Sequence, residues 1–159
     1  MGTRAQALAE QFEQAFADLA NTVEGASEKQ WAAICGDERW TVAATAQHVG
    51  AQLPLEREYI SAAAEGREMP AYTWEDINGM NEKRAKDKAA CSKADVLKLL
   101  RDGGASAAAY VRGLSDDQLD RRSRLPLAGG AEVTTQQLIE GGVLIDHAVG
   151  HLKSIRAAG

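Results

Sequence analysis

The sequence predicts an all-α fold: an up-and-down antiparallel four-helix bundle with an extra short helix, in a single domain spanning residues 1–159. Two observations carry this. Apolar residues recur at three- and four-residue steps through most of the chain, whereas Val, Ile and Thr nowhere alternate with polar residues over a useful length. Alanine is abundant and aromatics make up only 5%, a composition that favours helices and their close approach. With 45% apolar and 26% charged residues, 159 residues suffice to bury a continuous core without disulfides or a structural metal.

The elements follow in order. A first helix covers residues 3–23, with Leu8, Phe12, Phe16 and Leu19 on one face. A turn around "SEKQW" and a Gly-Asp loop lead to Trp40. Thr41 is placed to cap a second helix running to about Ala64, kinked where Pro54 removes a backbone hydrogen bond. A third helix runs from Thr73 to Ala89. Ser92 caps a fourth that carries Val96, Leu97, Leu100 and Tyr110 and ends near Gly113. The stretch "LSDDQLDRRSRLPLAGGAE" reads as the longest loop, and Thr134 or Thr135 opens a last helix through Ala157. Gly141 and Gly142 would then lie inside that helix at about 1 kcal/mol each relative to Ala, offset by close packing. Trp31, Trp40 and Trp74, near helix starts, read as packing anchors.

Composition excludes several classes. The net charge is −5, and acids interrupt the basic runs "EKRAKDK" and "DRRSR", so no nucleic-acid partner is expected. No apolar run approaches the ~20 residues needed to span a bilayer. The first residues are amphipathic, without the apolar stretch of a signal peptide, so a cytoplasmic protein is expected. Cys35 and Cys91 have no metal-knuckle or redox spacing and read as idle thiols.

The three histidines carry the chemistry. In "LIDHAVGHLKS", His147 and His151 stand four apart, one helical turn, and His48 lies in "WTVAATAQHVG". At ~100° per residue, both C-terminal imidazoles fall at one edge of the last helix's apolar arc, with Glu140 on the same stripe. His48 falls at the edge of the second helix's apolar face, beside Gln52 and Tyr59. A rim is where side chains of adjacent helices converge on a partly open pocket. Histidines at i and i+4 can reach one metal ion, and a third from a facing helix leaves coordination positions for water or substrate. Three rim histidines hydrogen-bonded to neighbouring helices, with no metal, is the alternative. HExxH is absent, since Ala148 stands where the Glu would be, which removes the metalloprotease reading.

Beyond these features, "WTVAATAQHV" resembles the second-helix motif of the DinB/YfiT-like superfamily. "TTQQLIEGGVLIDHAVGHLKSI" resembles its last helix, and "WEDINGMNEKRAKD" its third. The order and spacing of these blocks extend the resemblance over nearly the full chain. It implies a four-helix bundle, often a homodimer, with a divalent metal, Zn or Ni, held by His48, His147 and His151. It also implies use of low-molecular-weight thiols by some relatives, in S-transfer or maleylpyruvate isomerisation. In the isomerases the first residue of the C-terminal pair is typically Glu, and His147 departs from that.

The expectation is a metal-dependent enzyme acting on a small-molecule substrate, the ion activating a thiol for S-transfer. The alternatives are a metal-dependent hydrolase, in which the ion activates water, and a non-catalytic metal- or small-ligand-binding stress protein. Tyr59, Gln52 and Glu140 are the candidate catalytic or supporting side chains, with Asn78 and Asn81 as candidate ligand-binding residues from the third helix.

Overall fold

The computed structural model describes residues 2–159. Short polar side chains open most helices, as the sequence suggests. Helix α1 (Thr3–Gly25) buries Leu8, Phe12, Phe16 and Leu19 along one face. The "SEKQW" turn closes into a short helix, α2 (Glu28–Ala32), because Ser27 and Gln30 cap each other's backbone N–H groups. Thr41 accepts from the Ala44 N–H at 3.0 Å and opens α3 (Val42–Ala51).

The expected kink at Pro54 is instead a break at Gln52, after which α4 (Leu53–Glu65) begins. Pro54 occupies the first turn of α4, where its missing N–H would have had no intrahelical partner. Thr73 caps α5 (Trp74–Asp87), and Ser92 caps α6 (Lys93–Arg112).

Four rods make the all-α bundle: α1, α3 with α4, α6, and the C-terminal pair α8 (Thr135–Glu140) and α9 (Ile145–Ala157). α1 and α6 run in opposite directions, since Gln6 and Glu13 meet Arg112 while Glu24 meets Arg101. α3 packs on α9 and α4 on α8, so these two rods also oppose each other. The extra helix, α5, packs against α3 and returns the chain along the bundle. α6 therefore starts at the same end as α3, with Gly50 against Leu99 and Leu53 against Gly103.

Glycine is required at two of these crossings. A Cβ on Gly50 would lie 2.8 Å from Leu99 Cγ, and one on Gly104 2.8 Å from Phe16 Cδ2. Both helices approach α6 more closely than alanine permits. One core, centred on Phe12, Leu19, Ile60, Leu100 and Ile139, runs through the rods.

Two C-terminal expectations are corrected. The stretch expected to be a loop holds a short helix, α7 (Asp116–Asp120), and an antiparallel hairpin of β1 (Arg122–Leu125) and β2 (Ala131–Thr134). Its turn uses Gly129 and Gly130 at φ 66° and 81°, a conformation open to glycine. Strands of four residues hold too few apolar positions to set a period, so they left no periodic signal. The single last helix is two, because Gly141 is extended (φ −86°, ψ −156°) and ends α8. Gly141 and Gly142 thus lie between helices and incur no helix-interior penalty. Among the described residues, no helix is long and apolar enough to cross a membrane.

Candidate metal centre

His48 projects from α3, and His147 and His151 project from α9, where the two helices pack side by side. Their Nε2 atoms converge. Nε2 of His147 lies 3.0 Å from Nε2 of His48 and 3.1 Å from Nε2 of His151. The three rings stand nearly perpendicular to one another. The bundle rim thus brings together the three histidines that sequence analysis singled out.

Two carboxylates stand behind the rings. Nδ1 of His151 donates to Glu38 Oε1 at 2.7 Å, which leaves the Nε2 lone pair of that ring free. Nδ1 of His147 lies 2.7 Å from Glu56 Oε1, a close contact bent outside hydrogen-bond geometry. Glu56 is only 7% exposed, and burial pushes its carboxyl pKa up, partly offset by His147. The loop that delivers Glu38 turns tightly: Cys35 N–H donates to Trp40 O, Arg39 N–H to Cys35 O, and Arg39 adopts φ 61°.

His48 is 4% exposed, and its Nδ1 is buried without a partner. Burial first, then the neighbouring His147 and His151, push its pKa down to about 2. Burial also lowers His151, and Glu38 partly restores it. Trp40 packs edge-on against His48 with ring centroids 5.2 Å apart, and its indole donates to Glu82.

This donor set suits a divalent ion of borderline softness. With the Nδ1 proton of His151 bonded to Glu38 and that of His147 drawn to its ring's Nδ1 by the nearby Glu56 carboxylate, the facing Nε2 atoms of His147 and His151 present lone pairs to each other, a repulsive arrangement at 3.1 Å. One proton on His48 Nε2 relieves one contact and leaves another. A cation at the common focus relieves them all. Tetrahedral Zn–N bonds of about 2.0–2.1 Å place neighbouring nitrogens roughly 3.3–3.4 Å apart, so a small outward shift of the rings from the separations here would admit the ion.

Beside the triad a cleft of about 110 Å³ opens between α4, α5 and the start of α9. Gln52, Glu56, Tyr59, Asn81 and His147 give it polar groups, and Leu55, Ile77, Leu127 and Val143 apolar wall. Trp74, 58% exposed, stands at its edge and donates to Leu127 O.

The other candidates divide. Gln52, Tyr59 and Asn81 reach this cleft. Asn78 is exposed, and Glu140, on α8 beyond the helix break, is exposed and bonded to Gln136. The stripe that linked Glu140 to the histidines assumed one continuous helix. Sequence reasoning missed Glu56 and Glu38. Glu56 had a signal, since His48, Gln52 and Glu56 follow at four-residue steps; Glu38 sits in an irregular loop and had none.

A profile of the DinB superfamily matches residues 11–155, most of the chain. The chain belongs to the DinB superfamily. As a DinB-like bundle it is similar to YfiT from Bacillus subtilis, described as a probable metal-dependent hydrolase with an unusual four-helix bundle topology. That likeness has TM-score 0.78 and 20% identity, over 98% of this chain and 86% of YfiT. It is also similar to the colibactin self-resistance protein ClbS, solved with double-stranded DNA (TM-score 0.68, 15% identity, 96% and 95% covered). The mycothiol-dependent maleylpyruvate isomerase matches over 94% of this chain but 62% of its own (TM-score 0.67, 15% identity). At these identities the likeness is one of fold. Among curated protein sequences none matches significantly.

Proposed function

We propose that this DinB-like protein is a metal-dependent enzyme in which His48, His147 and His151 hold a divalent ion, zinc or nickel, that activates a low-molecular-weight thiol for transfer to a small electrophile. The observation that carries this is the convergence of three Nε2 atoms, those of His48 and His151 within 3.1 Å of that of His147, with two of the rings backed by carboxylates. When bound, such an ion lowers the pKa of a coordinated thiol and leaves positions open for it.

The chain's own residues supply the rest. Glu38 and Glu56 orient their imidazoles and raise their basicity as ligands. The apolar wall of Leu55, Ile77, Leu127 and Val143 keeps bulk water from the reacting group. Glu38 Oε1 is bonded to His151 Nδ1, and Glu56 Oε1 lies against His147 Nδ1, so each nearby carboxylate has one oxygen engaged with a ring nitrogen. A thiol whose pKa the ion lowers ionises without a general base, which supports the thiol reading. Metal-dependent hydrolysis is the second reading, favoured by the likeness to YfiT.

Elemental analysis of untagged protein tests the metal, with about one zinc or nickel per chain expected and none in His147→Ala. Turnover with a panel of thiols and electrophiles then separates the readings. Ester or amide cleavage that proceeds without any thiol would sink the transferase in favour of the hydrolase.

A further inference from the structure

Inside the cleft beside His147, several polar atoms have no partner. Tyr59 Oη and Asn81 Oδ1 are both buried and unbonded. Leaving such a group unsatisfied costs about 1–3 kcal/mol, and two in one small cleft point to a ligand that completes them. Gln52 is 8% exposed, and its Oε1 accepts from Arg84 Nη1 at 2.8 Å. The amide end left to face the cleft is therefore its NH₂ donor. The bond from a cation polarises that amide and strengthens the donor.

Arg84 is a half-buried arginine whose side-chain hydrogen bond goes to a neutral amide. Arg4, Arg67, Arg101, Arg112 and Arg122 each pair with a carboxylate. Arg84 pairs with none among the described residues, although burial desolvates it and lowers its pKa. It lies on α5 one turn beyond Asn81, and its charge reaches His48 strongly enough to lower that ring's pKa further. A half-buried cation without a counter-ion, beside neutral polar groups, is a site for a monoanion, the Glu56 carboxylate of the same cleft being held against His147.

We propose that Gln52, Asn81 and Tyr59, with Arg84 behind Gln52, form a subsite that receives a carboxylate of the substrate or thiol beside the metal centre. Tyr59 O–H donates, Gln52 donates through its NH₂, and Asn81 rotates its amide so that its NH₂ replaces the unbonded Oδ1 on that side. The cleft of about 110 Å³ is well below the size that takes in a whole drug-sized ligand. Only the carboxylate end of a small molecule enters. A dianionic phosphate would lack a second cation. This assignment rests on the proposed function for its chemical context, but anion binding can be read without it.

The test is NMR titration of the side-chain amide signals of Gln52 and Asn81 with propionate and with propionamide, its neutral isostere, with and without added Zn²⁺. Saturable shifts with propionate, at least tenfold weaker binding of propionamide, and at least tenfold loss of propionate affinity in Arg84→Gln are expected. Arg84→Lys should restore part of that affinity. Equal response to acid and amide, no saturable shift, or an unchanged preference in Arg84→Gln overturns the subsite. Co²⁺ uptake, followed by absorption, is read separately in the same samples. Propionate binding without Co²⁺ uptake would overturn the metal reading alone, and Co²⁺ uptake without propionate preference the subsite alone.

Discussion

Oε1 of Glu56 stands 2.7 Å from Nδ1 of His147, a contact between α4 and α9 made by a carboxylate only 7% exposed. A charge buried that deeply needs a partner, and the partner is a ring whose other nitrogen faces two more histidines. Glu56→Gln keeps the shape and removes the charge. A 10- to 100-fold loss of Zn²⁺ affinity is expected, typical of groups that support a ligand from behind. Competition titration against a chromophoric chelator measures it, and Glu38→Gln should act in the same direction through His151.

Metal should also stabilise the fold. An ion that binds only the folded chain adds RT ln(1 + [L]/Kd), about 2.7 kcal/mol at a hundredfold excess over Kd. Thermal unfolding should therefore shift upward with added Zn²⁺, return with a chelator, and stay unresponsive in His147→Ala. An identical upward shift in that variant would show that the ion acts elsewhere on the protein.

In the metal-free protein, stability should fall as pH drops from 7 to 5. His48 has a folded pKa of about 2 against 6.5 for the free side chain. Below about 6.5 the unfolded chain takes a proton that the folded chain refuses, so acid favours unfolding. A fully shifted group contributes up to about 1.4 kcal/mol per pH unit inside that window. His151, lowered by burial, has the same sign. Glu56, raised by burial, works in the opposite direction once its carboxyl titrates. Urea unfolding at several pH values reads the slope, which His48→Gln should reduce; a flat profile would mean that this imidazole is hydrated in the fold.

Two glycine substitutions should move stability in opposite directions. Gly79 in α5 has nothing within 4 Å of an added Cβ, so Gly79→Ala should stabilise by about 0.5–1 kcal/mol through helix propensity. Gly104→Ala sets a Cβ 2.8 Å from Phe16, a core ring, and overpacking of about 1–3 kcal/mol should outweigh the same gain. Paired melting curves decide, and stabilisation by Gly104→Ala would show that Phe16 moves freely.

Much of the bundle was legible because its signals are local. Thr41 and Ser92 cap the helices expected of them, through side-chain bonds to backbone N–H groups three residues on. Periodicity put His48 and His147 each at the edge of an apolar face, and the family resemblance implied that they meet. Glu38 was not, because a loop with Arg39 at φ 61° has no period to read. The hairpin was hidden for a related reason: β1 and β2 are four residues each, and with Leu125 and Val133 packed against the core they hold too few apolar positions to set a period. The break at Gly141 was hidden because the apolar stripe resumes beyond it, and only backbone geometry shows the interruption.

That break separates two halves of one rod mechanically. Because α9 starts afresh at Ile145, the rotational phase of His147 and His151 is set by α9 packing on α1 and α3, not by α8. The surface hairpin can thus be lengthened, shortened or exchanged, remodelling the approach to the cleft, while Leu138 and Ile139 hold α8 in the core and the three imidazoles keep their aim. Substrate range and metal ligation can evolve as separate traits on this frame.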